Sequence, residues 1–320
     1  MSDDCQILFI TSNRIGDAIL STGLLNYIVE TEPGAQITVA CGPLARDLFI
    51  NTPGVVDVHV MRKKKYGWHW AGLLGKILGK RWKRIIDLRG SASAYLCWAR
   101  HRHVLRANHV LPRVAHIGAV MGLSPPPAPR LWIDDEAHSE VARLLPDGMH
   151  ISLGPTANWP QKTWSPHYFA ELAWRLANPQ GPLANARIIL HGGPGEEKDL
   201  EPIIKTLPPG LVTNLAGCRL PVAAAAMQRS VIYIGNDSGL THLSAAAGVP
   251  TLALFGPTRE DLYAPWGDHA MAIRGSLDYD ALLASPGFDI ERHESQMGDL
   301  DVDMVYNAVI DLLNSQNKGS

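Results

Sequence analysis

The chain has 320 residues, 46% of them hydrophobic and 19% charged, which suffices for a sizeable core and for two domains of roughly 150 residues each. That composition excludes intrinsic disorder and a collagen-like chain. The 29 Lys and Arg nearly balance 31 Asp and Glu, but residues 1–150 hold 18 basic and 13 acidic side chains and the remainder 11 and 18, so the halves are set to meet different partners.

Gln6–Ile10 is a short apolar run, and Ile19, Leu20, Leu24, Leu25 and Ile28 follow at helical spacing, giving strand, loop, helix. Pro33-Gly34 ends that helix. Gln36–Ala40, Val55–Val60 and Arg84–Leu88 are further strands, each far enough from the next for a helix between, the alternation of a parallel doubly wound sheet. The proline run Ser124–Pro129 is a stiff connector, with a short strand and a helix expected just beyond it. The alternation then restarts with strands His150–Leu153, Arg187–Leu190, Val231–Ile234 and Thr251–Phe255. Asp301, followed by Val302, Val305, Ala308, Val309, Leu312 and Leu313, opens a capped amphipathic helix. The expected domains are 1–147 and 148–300, with a helix over 301–315 free to pack back on the first.

Cys5, Cys41, Cys97 and Cys218 are scattered with no CxxC pair, against a disulfide framework or structural zinc. The acidic Met1–Asp4 start and the short apolar run after it do not read as a secretory signal, and no stretch is long and apolar enough to span a bilayer. A cytoplasmic protein is expected.

Three loops carry candidate chemistry. Arg14-Ile15-Gly16-Asp17 follows the first strand at the sheet edge where open α/β folds place ligands; Asp17 is either a helix N-cap or a general base. Gly154–Trp164 is a polar loop holding Thr156, Asn158 and one cation, Lys162, placed for a phosphate partner. Gly235-Asn236-Asp237-Ser238-Gly239-Leu240-Thr241-His242 runs from a buried strand through small residues into a helix, whose free first-turn N–H groups suit a phosphate. His191-Gly192-Gly193-Pro194-Gly195-Glu196-Glu197 adds an acid able to hold ribose hydroxyls. No GxGxxG follows the first strand and no GxxxxGK[ST] loop exists, so the dinucleotide oxidoreductase and P-loop readings lose their main support. Asp278-Tyr279-Asp280 and Asp301-Val302-Asp303 read as helix caps, leaving no metal site. Arg62–Arg84 contains nine Lys and Arg, no acid, and Trp68, Trp70 and Trp82; Arg100, Arg102, Arg106 and Arg113 extend the charge. The pattern suits an anionic membrane interface or acceptor, and no nucleic-acid motif accompanies it.

Together the Asp17, Lys162 and Asp237 loops, with Pro250 and Phe255-Gly256-Pro257-Thr258, resemble glycosyltransferase family 9, the ADP-heptose:lipopolysaccharide heptosyltransferases, over roughly Gln6–Trp266. The resemblance implies a GT-B fold: α/β, two Rossmann-like domains with parallel sheets facing a central cleft, acceptor on the N-terminal one and nucleotide sugar on the C-terminal one. It implies an inverting, metal-independent transferase with no cofactor. A heptose would pass from ADP-heptose to an anionic glycolipid of the lipopolysaccharide core, at the cytoplasmic membrane face. Asp17 matches the catalytic base and Lys162 the lysine on the donor phosphates. Asp237, Ser238, Gly239 and His242 match the donor block, and Glu196 or Glu197 the ribose acid. Thr156 and Asn158 join the donor site, while Arg14, Arg62, Lys63, Lys64, Trp68 and Trp70 are assigned to acceptor or membrane. Gly23 departs from a proline common in the family. Two alternatives stand beside this reading: a hydrolysing sugar-nucleotide epimerase of GT-B fold, and a non-catalytic sugar-nucleotide-binding partner in envelope assembly.

Overall fold

Strands that are apolar on both faces can only lie between covering layers, and such strands build the middle of both sheets. In the computed structural model, which describes residues 5–63, 65–108, 110–286, 288–289, 291 and 294–318, the chain divides into two compact units, Met1–Asp134 and Asp135–Ser320.

The first unit holds five strands: β1 (Gln6–Ile10), β2 (Gln36–Cys41), β3 (Val55–Val60), β4 (Trp82–Asp87) and β5 (Ala99–Val104). Ile7, Leu8, Phe9 and Ile10 are fully buried, and β1 is accordingly central. All pairs are parallel, in the order β3-β2-β1-β4-β5. The second unit holds β6 (His150–Gly154), β7 (Arg187–Leu190), β8 (Val212–Asn214), β9 (Ser230–Asn236), β10 (Thr251–Phe255) and β11 (Ala270–Arg274). Its parallel order, β11-β10-β9-β6-β7-β8, is the same winding with one strand added. Strand order therefore reverses at β1/β4 in one unit and at β6/β9 in the other. Such reversals leave a crevice at the carboxyl ends of the strands for ligands.

The division between units falls before the helix Asp135–Leu144. That helix buries Ala137 and Val141 and packs on the helix Leu220–Met227, while its Glu140 meets Arg219 at 3.3 Å. A boundary at 147 would detach it from those contacts. The short strand expected after the proline run is absent, since residues 129–134 carry no strand. The C-terminal helix Val302–Lys318 lies on the helix Pro166–Ala177 and on β10 and β11, and its Val302, Val305, Val309 and Leu312 join the core of the second unit. Its apolar face is thus taken up within that unit.

Gly23 is explained by close approach: a Cβ there would collide with the carbonyl oxygens of Pro127 and Ala128 in the proline run, so a larger residue requires the connector to move. Asp278 accepts from the Ala281 amide and Asp301 from the Met304 amide, both at 2.8 Å. Both act as helix caps.

Candidate active site

In the second unit the β6 and β9 loops converge. Asn236, fully buried at the end of β9, accepts from the Trp164 amide at 2.9 Å and donates to the Pro155 carbonyl at 2.7 Å. One side chain thereby fixes both ends of the polar loop that carries Thr156, Asn158 and Lys162. At the next residue, Asp237 Oδ2 accepts from Lys162 Nζ at 3.0 Å, with both side chains only 10–11% exposed. An ammonium carries three N–H groups, so two remain for a ligand after Asp237 is served.

Ser238 takes the N-cap position of the helix Gly239–Ala246, but its side chain makes no capping bond. The first-turn amides are left for a ligand, and the helix dipole favours an anion there. Thr241 Oγ1 donates to the Asn236 carbonyl at 2.6 Å, and His242 is buried in the same turn. Beneath them the buried Tyr233 ring fills the space over Gly154 and Gly235, where any Cβ would strike its hydroxyl. Burial pushes the Tyr233 phenol above its ordinary value, so it stays neutral. Thr156 is buried and Asn158 exposed. At the end of β7, Glu196 Oε2 accepts from the Gly193 amide at 2.6 Å, and Glu197 Oε1 from the Gly195 amide at 3.2 Å. Both carboxylates brace their own glycine loop, Glu196 the more tightly.

In the first unit Asp17 lies in the first turn of the helix Ile15–Leu20, but Arg14 holds the N-cap position. The capping alternative is therefore removed. Asp17 Oδ1 accepts from Arg113 Nε at 2.8 Å, with the two side chains 18% and 20% exposed. His116 Nε2 bonds the Arg106 carbonyl at 2.7 Å, and its Nδ1 lies 3.4 Å from Arg113. At the neighbouring end of β4, buried Asp87 accepts from the Arg89 and Ser91 amides and the Ser91 hydroxyl at 2.6–2.8 Å. Burial pulls the Arg89 guanidinium below its ordinary value, opposed by the carboxylates of Asp87 and Asp17.

The basic segment divides. Arg14, Arg62, Lys63 and Trp68 are exposed. Trp70 is half-buried, packs on the first unit's core and lies under Arg89 at 4.9 Å. Lys64 lies outside the described residues. Sequence reading passed over the roles of Asn236, Asp87 and Arg89, and counted Arg113 only as charge. The first two were signalled by their place, each closing an apolar run at a sheet's reversal point. Arg113 gave no signal, 96 residues from its partner.

Two doubly wound, parallel-sheet α/β units in one chain are the parts of a GT-B fold. The model of "Glycosyltransferase family 9 (heptosyltransferase)" matches residues 73–283, and the chain belongs to that family; it is a glycosyltransferase. It is 29% identical to lipopolysaccharide heptosyltransferase 2 of Escherichia coli K12, covering 84% of this chain and 88% of that one. It is 35% identical to lipooligosaccharide heptosyltransferase 2 of Haemophilus influenzae, over 41% of this chain and 38% of the relative. The solved structure of the E. coli ADP-heptose lps heptosyltransferase II superimposes with a TM-score of 0.75 at 22% identity, covering 98% and 99% of the two chains.

Proposed function

We propose that this enzyme transfers a heptose from ADP-heptose to an anionic glycolipid of the lipopolysaccharide core, with inversion at the anomeric carbon. The observation that carries the reading is the Lys162–Asp237 pair at the mouth of the Gly239–Ala246 helix, where a lysine and a helix N-terminus together offer N–H donors to a diphosphate. The names of the E. coli relatives support the donor and the acceptor class.

Asp17 takes the proton from the acceptor hydroxyl, and that oxygen attacks the anomeric carbon as the bond to the diphosphate breaks on the opposite face. Arg113 holds Asp17 in orientation. The charge appearing on ADP is met by Lys162 and by the amides at Ser238 and Gly239, an arrangement that is in place before reaction. These protein groups carry the role assigned elsewhere to a divalent ion, and chelator is expected to leave turnover unchanged. Glu196, Thr156, Asn158 and His242 complete the donor contacts; Arg14, Arg62 and Lys63 face the acceptor's acidic groups. The enzyme works at the cytoplasmic membrane surface, to which the basic segment holds it; among the described residues no helix is long and apolar enough to cross a membrane.

The test is thermal unfolding of the intact chain with ADP, UDP and GDP. A ligand that binds only the native state stabilises it by about 2.7 kcal/mol at a hundred times its dissociation constant. ADP is expected to raise the melting temperature most. A larger effect of UDP would contradict the donor assignment.

A further inference from the structure

The turn after β4 exposes three large apolar side chains and is nevertheless held rigidly. Ala94 and Cys97 are buried in the same core cluster as Leu73 and Ile77 of the helix Trp68–Ile77, while Tyr95, Leu96 and Trp98 are 62%, 59% and 60% exposed. The backbone between is clamped by Arg102, whose Nε donates to the Ala94 carbonyl at 2.5 Å and whose Nη2 donates to the Cys97 carbonyl at 2.8 Å. The Trp98 carbonyl accepts from the Trp82 amide at 3.2 Å. Exposure here is built in, and a cluster of this kind marks a contact surface.

Its surroundings are cationic. From residue 58 to 133 the sequence has fifteen Lys and Arg and one acid, Asp87, which is buried and spent on its own loop. The Arg81 guanidinium lies 5.9 Å from the Trp98 ring and that of Arg102 5.8 Å from Tyr95. Lys80 and Leu78 are exposed beside them. Aromatic rings with an aliphatic tip, sheathed by cations, match a bilayer interface: rings at headgroup depth, the leucine among acyl chains, cations on phosphate. A second copy of this face would set cations against cations, and a nucleic acid has no use for Leu96 or Leu78.

We propose that this face docks on a bilayer containing anionic phospholipid, with Tyr95, Leu96 and Trp98 inserted and Lys80 and Arg81 on the headgroups. It rests on the reading of a lipid-borne acceptor, and it assigns the insertion to a different element from the 62–70 segment.

The test is co-sedimentation of the intact protein with vesicles of phosphatidylcholine, alone or mixed with phosphatidylglycerol. The mixed vesicles are expected to retain it. The double variant Leu96→Ser/Trp98→Ser is expected to lose binding at least tenfold, and Lys80→Gln/Arg81→Gln about tenfold or more, the latter on anionic vesicles only. Unchanged ADP-induced thermal stabilisation would show that the variants are folded. Equal retention on neutral and anionic vesicles overturns the proposal. So does binding unaffected by the variants, or self-association or single-stranded RNA binding in place of vesicle binding. Because these vesicles carry no sugar acceptor, binding to them tests this surface alone; predicted binding together with no heptosyl transfer to lipopolysaccharide-core glycolipid added to the vesicles with ADP-heptose would support this surface while sinking the acceptor reading. Transfer to a membrane-borne acceptor that ignores all four substitutions does the reverse.

Discussion

A carboxylate–cation pair stands at the strand-order reversal of each unit, and the two pairs differ in access and in support. Asp17 and Arg113 are about one-fifth exposed and joined across 96 residues of sequence. Lys162 and Asp237 are about one-tenth exposed and held by Asn236, whose two buried hydrogen bonds lock the loops on either side. A partly exposed carboxylate, one oxygen held by Arg113 and the other reached only by the Ser12 hydroxyl at 3.5 Å, suits proton transfer to and from a changing acceptor. A nearly dry ion pair suits a fixed electrostatic seat, because charges interact more strongly where water is excluded.

If that contrast is right, the largest effect comes from Asp17→Asn. A positioned base contributes about 10² to 10⁴ in rate, so turnover is expected to fall by at least a hundredfold in a steady-state transfer assay. Next is Asn236→Leu, which strands the buried Trp164 amide and Pro155 carbonyl. At about 1–3 kcal/mol for each unsatisfied group, urea unfolding should report a loss of roughly 2–6 kcal/mol.

A smaller effect concerns pH. Burial lowers the pKa of His59, His103, His150 and His191, the last to about 3. The unfolded chain then binds more protons than the folded one below the ordinary histidine value of 6.5. Stability is accordingly flat above that pH and falls as pH drops toward 3. Each such histidine contributes up to about 1.4 kcal/mol per pH unit. His191→Gln, which keeps a partner for Ser152, should flatten the fall measured by urea titration at several pH values. The smallest effect is Arg113→Gln. Its partly exposed pair contributes at most about 1 kcal/mol to stability, and its cost should appear instead as a drop of about tenfold in turnover.

What the sequence revealed follows burial. The central strands β1, β6, β9 and β10 are continuous apolar runs and were legible. Edge strands are half-solvated and lack that signature: β5 reads ARHRHV, β8 is three residues long, and β11 is only half-buried. The loops bearing Asp17, Lys162 and Asp237 were legible because small and polar residues crowd at strand ends. Their partners were not. The Asp17–Arg113 bond and the Asn236 cross-link depend on which distant loops the winding brings together, and no local spacing encodes that.

Calorimetric titration of ADP into Asp17→Asn and Lys162→Ala, side by side with the parent enzyme, tests the division of labour most directly. Removing one partner of a buried charge pair costs about 2–5 kcal/mol, so Lys162→Ala should weaken ADP by roughly thirtyfold or more while Asp17→Asn binds as the parent does. Equal affinity in all three proteins, or equal weakening in both variants, would contradict it.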